Sequence, residues 1–345
     1  MKTKRNRCEH LFHPFPREEL RSSSAEVILI NWIRLERRNT RTRLLQTQEI
    51  GKTPERGPTY EATFGENLET FRKGLALRVS RRKTLLAGPY VGEFGHEIMD
   101  FQGYVRWFRR KYLDVHVLTF PGRAPLYRGC IVHAHNYDLT SAGYFYGKLS
   151  NQELRSKAVE FAASLGIKDY DIFNPMHLRT RWHRRLLFRQ EHKVLGPAAP
   201  VNPTQKILFH FRNIQKVGPD ITRNIRPELA AELCDLCRKN NIETACIGHP
   251  EYSLCPAGSE DWRTAELEKT LAAIASSRLV VGELSGPMHL AVYAAKPVVI
   301  WAPGKHRIDY ALKRNPFKVG ISVVRDDTTN PSADEILAKV RQSLG

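Results

Sequence analysis

An α/β protein of two Rossmann-like domains behind a basic N-terminal extension is the fold this 345-residue sequence predicts. Three observations carry that reading. From Lys83 a short apolar strand enters a glycine-rich loop, then a helix and a second strand. Pro197, Pro200 and Pro203, with Gly196 and Ala198-Ala199 between them, form a linker. From Lys206 onward β and α segments alternate, ending in LVVGELSGPMHLAVYAAKPVVIWAP over 279–303. The sequence therefore divides into an extension over 1–80, a first domain over 81–195, a linker over 196–204 and a second domain over 205–345.

Residues 1–80 show weak periodicity, with one apolar burst at Glu26 to Leu35 followed by Arg- and Thr-rich, loop-like sequence. They are expected to be partly ordered at best. Thr84 to Ala87 then reads as a strand, and Gly88, Gly92 and Gly95 loosen the loop after it. The following helix brings Ile98, Phe101, Val105 and Phe108 to one face, and Val115 to Phe120 is the next strand. The dinucleotide-binding spacing G-x-G-x-x-G is absent. Ser150 and Glu153 fit a capping box opening a helix that runs to Leu165-Gly166. The second domain reads as a strand from Lys206 to Arg212, a polar loop, a helix over 227–240 and a strand from Glu243 to Ile247. A helix from Thr264 to Ser276 leads to the closing unit. Such alternation argues a parallel sheet with helices on both faces, and ligands sit at the carboxyl ends of its strands. Arg212, Gly248, Glu283 and Ser285 all fall at those ends.

In the closing unit a β-branched run enters a turn built on Gly282, Ser285 and Gly286. Pro287 opens an apolar helix, and Lys296-Pro297 ends it before the strand Val298 to Trp301. The unpaired N–H groups and positive dipole end of such a helix start form an anion site, and Gly286 lets a bulky anion approach the backbone. The segment Gly282-Glu283-Leu284-Ser285-Gly286-Pro287-Met288-His289-Leu290-Ala291 resembles the donor-site motif of the lipopolysaccharide heptosyltransferases. Those are inverting enzymes of the two-Rossmann-domain (GT-B) glycosyltransferase fold. In them a short turn leads into a Gly-Pro-Met-His-Leu helix start that holds the sugar-nucleotide diphosphate. The resemblance extends by pattern order from roughly Lys206 to the C-terminus. The family usually has an acidic residue and Thr before the Gly-Pro; here Leu284 and Ser285 stand there, with Glu283 one place earlier. The glycine-rich opening after the first strand looks more loosely like the acceptor side of heptosyl- and fucosyltransferases.

The resemblance implies a nucleotide-sugar donor as substrate and no cofactor, and with no metal cluster of the Asp-x-Asp kind recognised in the sequence, no metal is expected. It also implies a glycan or lipid-linked acceptor of the cell envelope and a base supplied by the first domain across a cleft. Candidates for that base are Glu93, between Gly92 and Phe94-Gly95 on the loop, and His96 and Glu97 at the helix start, with Asp100 one turn on. Glu97 also reads as a simple first-turn carboxylate. For the diphosphate the candidates are Arg212 and Lys216, together with Ser285, Gly286, Met288 and His289. Arginine suits the task because its fork bridges two phosphate oxygens. The His210-x-Arg212 strand end also resembles the diphosphate-binding arginine of fucosyltransferases. Glu283, Gly248 and Trp262 are candidates for the nucleoside and sugar, with Arg263 beside Trp262. His289 reads equally as a buried histidine bonded to nearby backbone.

Composition bounds these readings. A formal charge of +18 favours polyanionic partners. Much of it lies in the first 83 residues and in Arg179 to Arg189. No nucleic-acid fingerprint accompanies it, so no specific nucleic acid is expected, and a peripheral contact with an anionic membrane is the preferred use. Scattered cysteines and the lack of an apolar region behind MKTKRNRCEHLFHPFP suggest a cytoplasmic protein, possible also at the inner membrane face. Cys234 and Cys237 form a C-x-x-C inside a helical pattern with no second pair at zinc spacing, and read as structural. Two other readings stay open. One is an enzyme of similar fold, such as a polysaccharide pyruvyltransferase or a fucosyltransferase. The other is a non-catalytic basic protein that binds nucleic acid or membrane.

Overall fold

The structure is a computed structural model that describes residues 64–137, 150–178, 187–214 and 223–345, all within one compact unit spanning 62–345. The apolar burst at Glu26 to Leu35, Lys216 and most of the basic stretch at Arg179 to Arg189 lie outside the described residues.

The first described element is a helix, α1 (Phe64–Val79), inside the stretch expected to be an extension. Its apolar residues are too few for a clear stripe, yet Phe71 and Leu77 are buried. Gly74 lets it approach Leu187 and Phe188 closely. Tertiary packing, not periodicity, holds it as a helix. Next come β1 (Thr84–Ala87), β2 (Asp114–Thr119), β3 (Ile131–Ala134) and β4 (Tyr170–Phe173), which form a parallel sheet in the order β3-β2-β1-β4. Between β1 and β2 runs a helix in three segments: Phe94–His96, a π turn over Glu97–Phe101, and Gln102–Phe108, together α2. Ile98, Phe101, Val105 and Phe108 are all fully buried, as their spacing predicts. Phe101 stacks on Phe173, with Phe108 and Phe188 packed around the pair. Helix α3 (Asn151–Ser164) begins with the expected capping box from Ser150 and Glu153, and Gly166 follows it at φ +69°.

The second sheet is made by β5 (Ile207–Arg212), β6 (Thr244–Cys246), β7 (Ser253–Leu254), β8 (Glu260–Asp261), β9 (Leu279–Glu283), β10 (Val298–Trp301) and β11 (Ile321–Val323). Its order is β11-β10-β9-β5-β6-β8, all parallel, with β7 pairing antiparallel to the end of β5. Helices α4 (Pro227–Lys239) and α8 (Ala333–Leu344) pack on one face, against Ile207, Phe209, Phe211, Val281, Val299 and Trp301. Burying a side chain of this size stabilises the fold by about 1.5–3 kcal/mol. Cys234 and Cys237 are buried thiols within that layer. The remaining helices are α5 (Leu267–Ser276), α6 (Gly286–Tyr293) and α7 (Lys305–Lys313). A side chain at Gly282 would meet Met288 Sδ at 3.1 Å, so α6 lies on the face opposite α4 and α8. All six residues of β5 are buried, because helices cover both sides of the sheet.

Candidate active site

Strand-end chemistry assembles the second half of the site. Arg212 ends β5 and is buried; its guanidinium donates to Asn224 Oδ1 at 3.4 Å. Asn224 also bonds both backbone groups of Ile214, which closes the neck of the polar loop. Glu283 ends β9 and is 1% exposed. Arg223 grips it with both arms, Nε to Oε1 at 3.0 Å and Nη2 to Oε2 at 3.2 Å, and also donates to the Leu284 carbonyl. Burial holds the Glu283 carboxyl above the usual range, while Arg223, Arg212 and Arg307 pull it down. One guanidinium therefore binds this strand end directly, and the charges of two more are felt there.

Ser285 is the N-cap of α6, but its hydroxyl lies 3.0 Å from His210 Nδ1 and makes no side-chain cap to the helix. His210 is buried on β5, and burial beside Arg212 and Arg223 lowers its pKa to about 3. It is neutral at any physiological pH. Gly248 follows β6 at φ +120°, and a Cβ there would come within 2.8 Å of the His210 ring, so this position requires glycine.

The first half supplies the facing wall. Glu93 is the N-cap of α2 and is exposed. The next residue, Phe94, lies against Gly286: a Cβ on Gly286 would sit 2.8 Å from the ring. Gly95 lies similarly against the half-buried His289 ring, at 3.2 Å. Burial, with His96 and Arg223 close by, lowers the His289 pKa to about 3. Met288 is fully buried and packs rather than faces a ligand. We expect Gly286→Val to overpack this contact and cost about 1–3 kcal/mol in urea denaturation. Phe94→Ala in the same chain should recover most of the loss.

Two acidic candidates have other work. Glu97 is fully buried, accepting from Thr119 Oγ1 and from Tyr127 OH at 2.8 Å, with Arg123 Nε at 3.7 Å. Burial raises its pKa. It is neither a solvent-facing first-turn carboxylate nor accessible to an acceptor, because the π turn rotates it inward. Asp100, also buried, pairs with Arg314 and accepts from Tyr310 at 3.2 Å and Gln190 at 3.2 Å, with His96 at 3.6 Å. With the Tyr293 hydroxyl on the Met99 carbonyl, this network ties α2 to the second half.

Trp262 donates to Glu260 and lines a separate groove with Val201, Arg263, Thr264 and Lys269 along α5. That groove shares none of its lining residues with the Ser285–His289 cluster. An Asp-x-Asp that sequence reasoning passed over, Asp169-Tyr170-Asp171, is held by Arg82 at 2.8 and 3.3 Å. It sits where β4 starts, at the opposite edge of the sheet from the candidate site. Among the described residues no group of three His, Cys, Asp or Glu side chains is placed to hold a metal ion. Arg223, Arg307 and Arg123 were not singled out from sequence. Arg307 follows the strand Val298–Trp301, so strand-end reasoning could have found it; nothing distinguishes Arg223 from the other arginines.

Two parallel sheets flanked by helices, with a helix start of one half against the glycine-rich turn of the other, define the GT-B glycosyltransferase fold. No family model matches the chain, and no curated protein matches its sequence. Among solved structures it is similar to a family 9 glycosyl transferase from Veillonella parvula DSM 2008, with TM-score 0.51 and 10% identity over 77% of this chain and 98% of that one. It also aligns with the E. coli ADP-heptose lipopolysaccharide heptosyltransferase II, at TM-score 0.47 and 14% identity over 76% and 98% of the two chains. For E. coli heptosyltransferase WaaC with ADP the values are 0.46 and 12%, over 75% and 99%.

Proposed function

We propose that the protein is an inverting, metal-independent glycosyltransferase that moves a sugar from a nucleoside-diphosphate donor to a cell-envelope glycan or lipid-linked acceptor. One observation carries the reading. The Ser285–His289 helix start faces the Glu93–Gly95 turn, at the strand ends that carry Arg212 and the Arg223–Glu283 pair. In that arrangement the donor diphosphate lies at the N-terminus of α6, whose amides and dipole, with Arg212, take up the charge that develops as the sugar–phosphate bond breaks. Glu93, exposed beside Phe94, accepts the proton of the acceptor hydroxyl as its oxygen attacks the anomeric carbon from the opposite side. A single displacement of this kind inverts the configuration. Neutral His289 contributes a hydrogen bond without adding charge. Lys216, seven residues before Arg223 in sequence, is a further candidate for the diphosphate.

A thermal-shift panel of ADP, GDP, UDP and CDP at low and moderate salt tests the reading. One diphosphate should raise Tm at both salts, by an amount that grows with ligand concentration. Arg212→Ala should abolish the shift. Glu93→Gln should keep it and lose transfer activity by at least about a hundredfold. Equal shifts by all four, present only at low salt, would mean a nonspecific polyanion surface and sink the proposal.

A further inference from the structure

The edge of the first sheet opposite the candidate site has an unusual surface. Among the described residues the two most exposed large apolar side chains are Leu113, at 78%, and Val79, at 70%. They lie at the same end of the sheet, where the Lys111 ammonium and the Tyr112 hydroxyl both donate to the Leu77 carbonyl. Val79 ends α1 just before β1, Leu113 immediately precedes β2, and the Leu113 amide donates to the Lys83 carbonyl at 2.8 Å. At the same end of the sheet, just before β1 and β4 begin, stand the exposed cations Arg78, Arg81, Lys83 and Lys168. The acidic residues at this edge are Asp114, Asp169 and Asp171, and Arg82 pairs with the last two.

We propose that this edge docks on an anionic lipid bilayer. Apolar side chains flanked by cations suit the interface, where the former enter the acyl boundary and the latter meet lipid phosphates. Charge selects the bilayer over two other occupants. A second copy would set one basic face against another. The chain's own residues 1–63 also carry more Lys and Arg than Asp and Glu, and would be repelled. The four residues of β1 raise the carboxyl edge roughly 13 Å farther from the lipid, so docking leaves the candidate site uncovered. The inference does not depend on glycosyl transfer, since binding is read without nucleotide or acceptor.

The test is flotation of the full chain with phosphatidylcholine vesicles, with and without phosphatidylglycerol. Binding is expected only with the anionic lipid. The pair Val79→Ser/Leu113→Ser and the pair Arg81→Gln/Lys83→Gln should each weaken it about tenfold, with wild-type Tm, since all four positions are exposed. Equal binding to neutral vesicles would overturn the proposal. So would loss with the charge pair but not the apolar pair, which would indicate a soluble polyanion such as nucleic acid. A dimer in sedimentation equilibrium that Leu113→Ser dissolves, with vesicle binding unchanged, would assign the face to a second copy instead.

Discussion

Arg223→Ala is expected to destabilise the protein by about 3–5 kcal/mol, because it strands a carboxylate in the interior. Glu283 is 1% exposed, and Arg223 supplies both hydrogen bonds the structure shows to its oxygens. Without that fork the carboxyl is left with the more distant pull of Arg212 and Arg307, and its already raised pKa climbs further. The variant's stability should therefore fall as pH rises through that raised value, and be least impaired in acid. The double variant Arg223→Met/Glu283→Met removes both charges and should recover most of the stability, since replacing a buried pair with apolar groups is close to neutral. It should not recover nucleotide binding if the turn that Arg223 fixes through the Leu284 carbonyl is what shapes the start of α6. Urea denaturation of the three chains measures the first effect, and the thermal-shift panel the second. A single variant as stable as wild type would show that Glu283 reaches solvent when Arg223 is gone.

Acidification should weaken the fold through His210. Its folded pKa is lowered to about 3, against about 6.5 in an unfolded chain. The unfolded state therefore binds more protons between those values. The contribution is intact above pH 6.5 and is lost progressively as pH falls toward 3. Between pH 7 and pH 5 the loss is about 2 kcal/mol for this one group. Glu97 and Glu283 act in the opposite direction: their raised pKa values make the fold lose stability as pH rises through them. His210→Asn, which retains a polar partner for Ser285, should flatten the acid slope while leaving the carboxylate contribution in place. Denaturation midpoints at pH 7 and pH 5 decide it. An unchanged slope in the variant would mean that His210 is not the group that takes up the proton.

The sequence resolved much of the scaffold because the scaffold is periodic. Buried parallel strands read as short apolar runs, and Thr84–Ala87 and Val298–Trp301 fall where the pattern puts them. The capping box at Ser150 and the helix start at Gly286 have local signatures that tertiary packing does not alter. Helix α1 was missed because its apolar residues form no clear stripe, and only contact with Leu187 and Phe188 gives them a role. Glu97 was misread for another reason. A first-turn carboxylate normally faces solvent, but the π turn inserts an extra residue into the helix and carries this one into the core.

The two alternating β/α halves, the strand ends that carry Arg212, Gly248 and Glu283, and the glycine-proline helix start can all be read along the chain. Hydrophobic period and backbone chemistry are local properties. Folding alone brings Arg223 onto Glu283, His210 to Ser285, and Phe94 and Gly95 against Gly286 and His289. Those pairings join residues far apart in the chain. Their energy comes from desolvating charge and excluding a side chain at a crossing, neither of which leaves a mark on the residues' own neighbours in sequence.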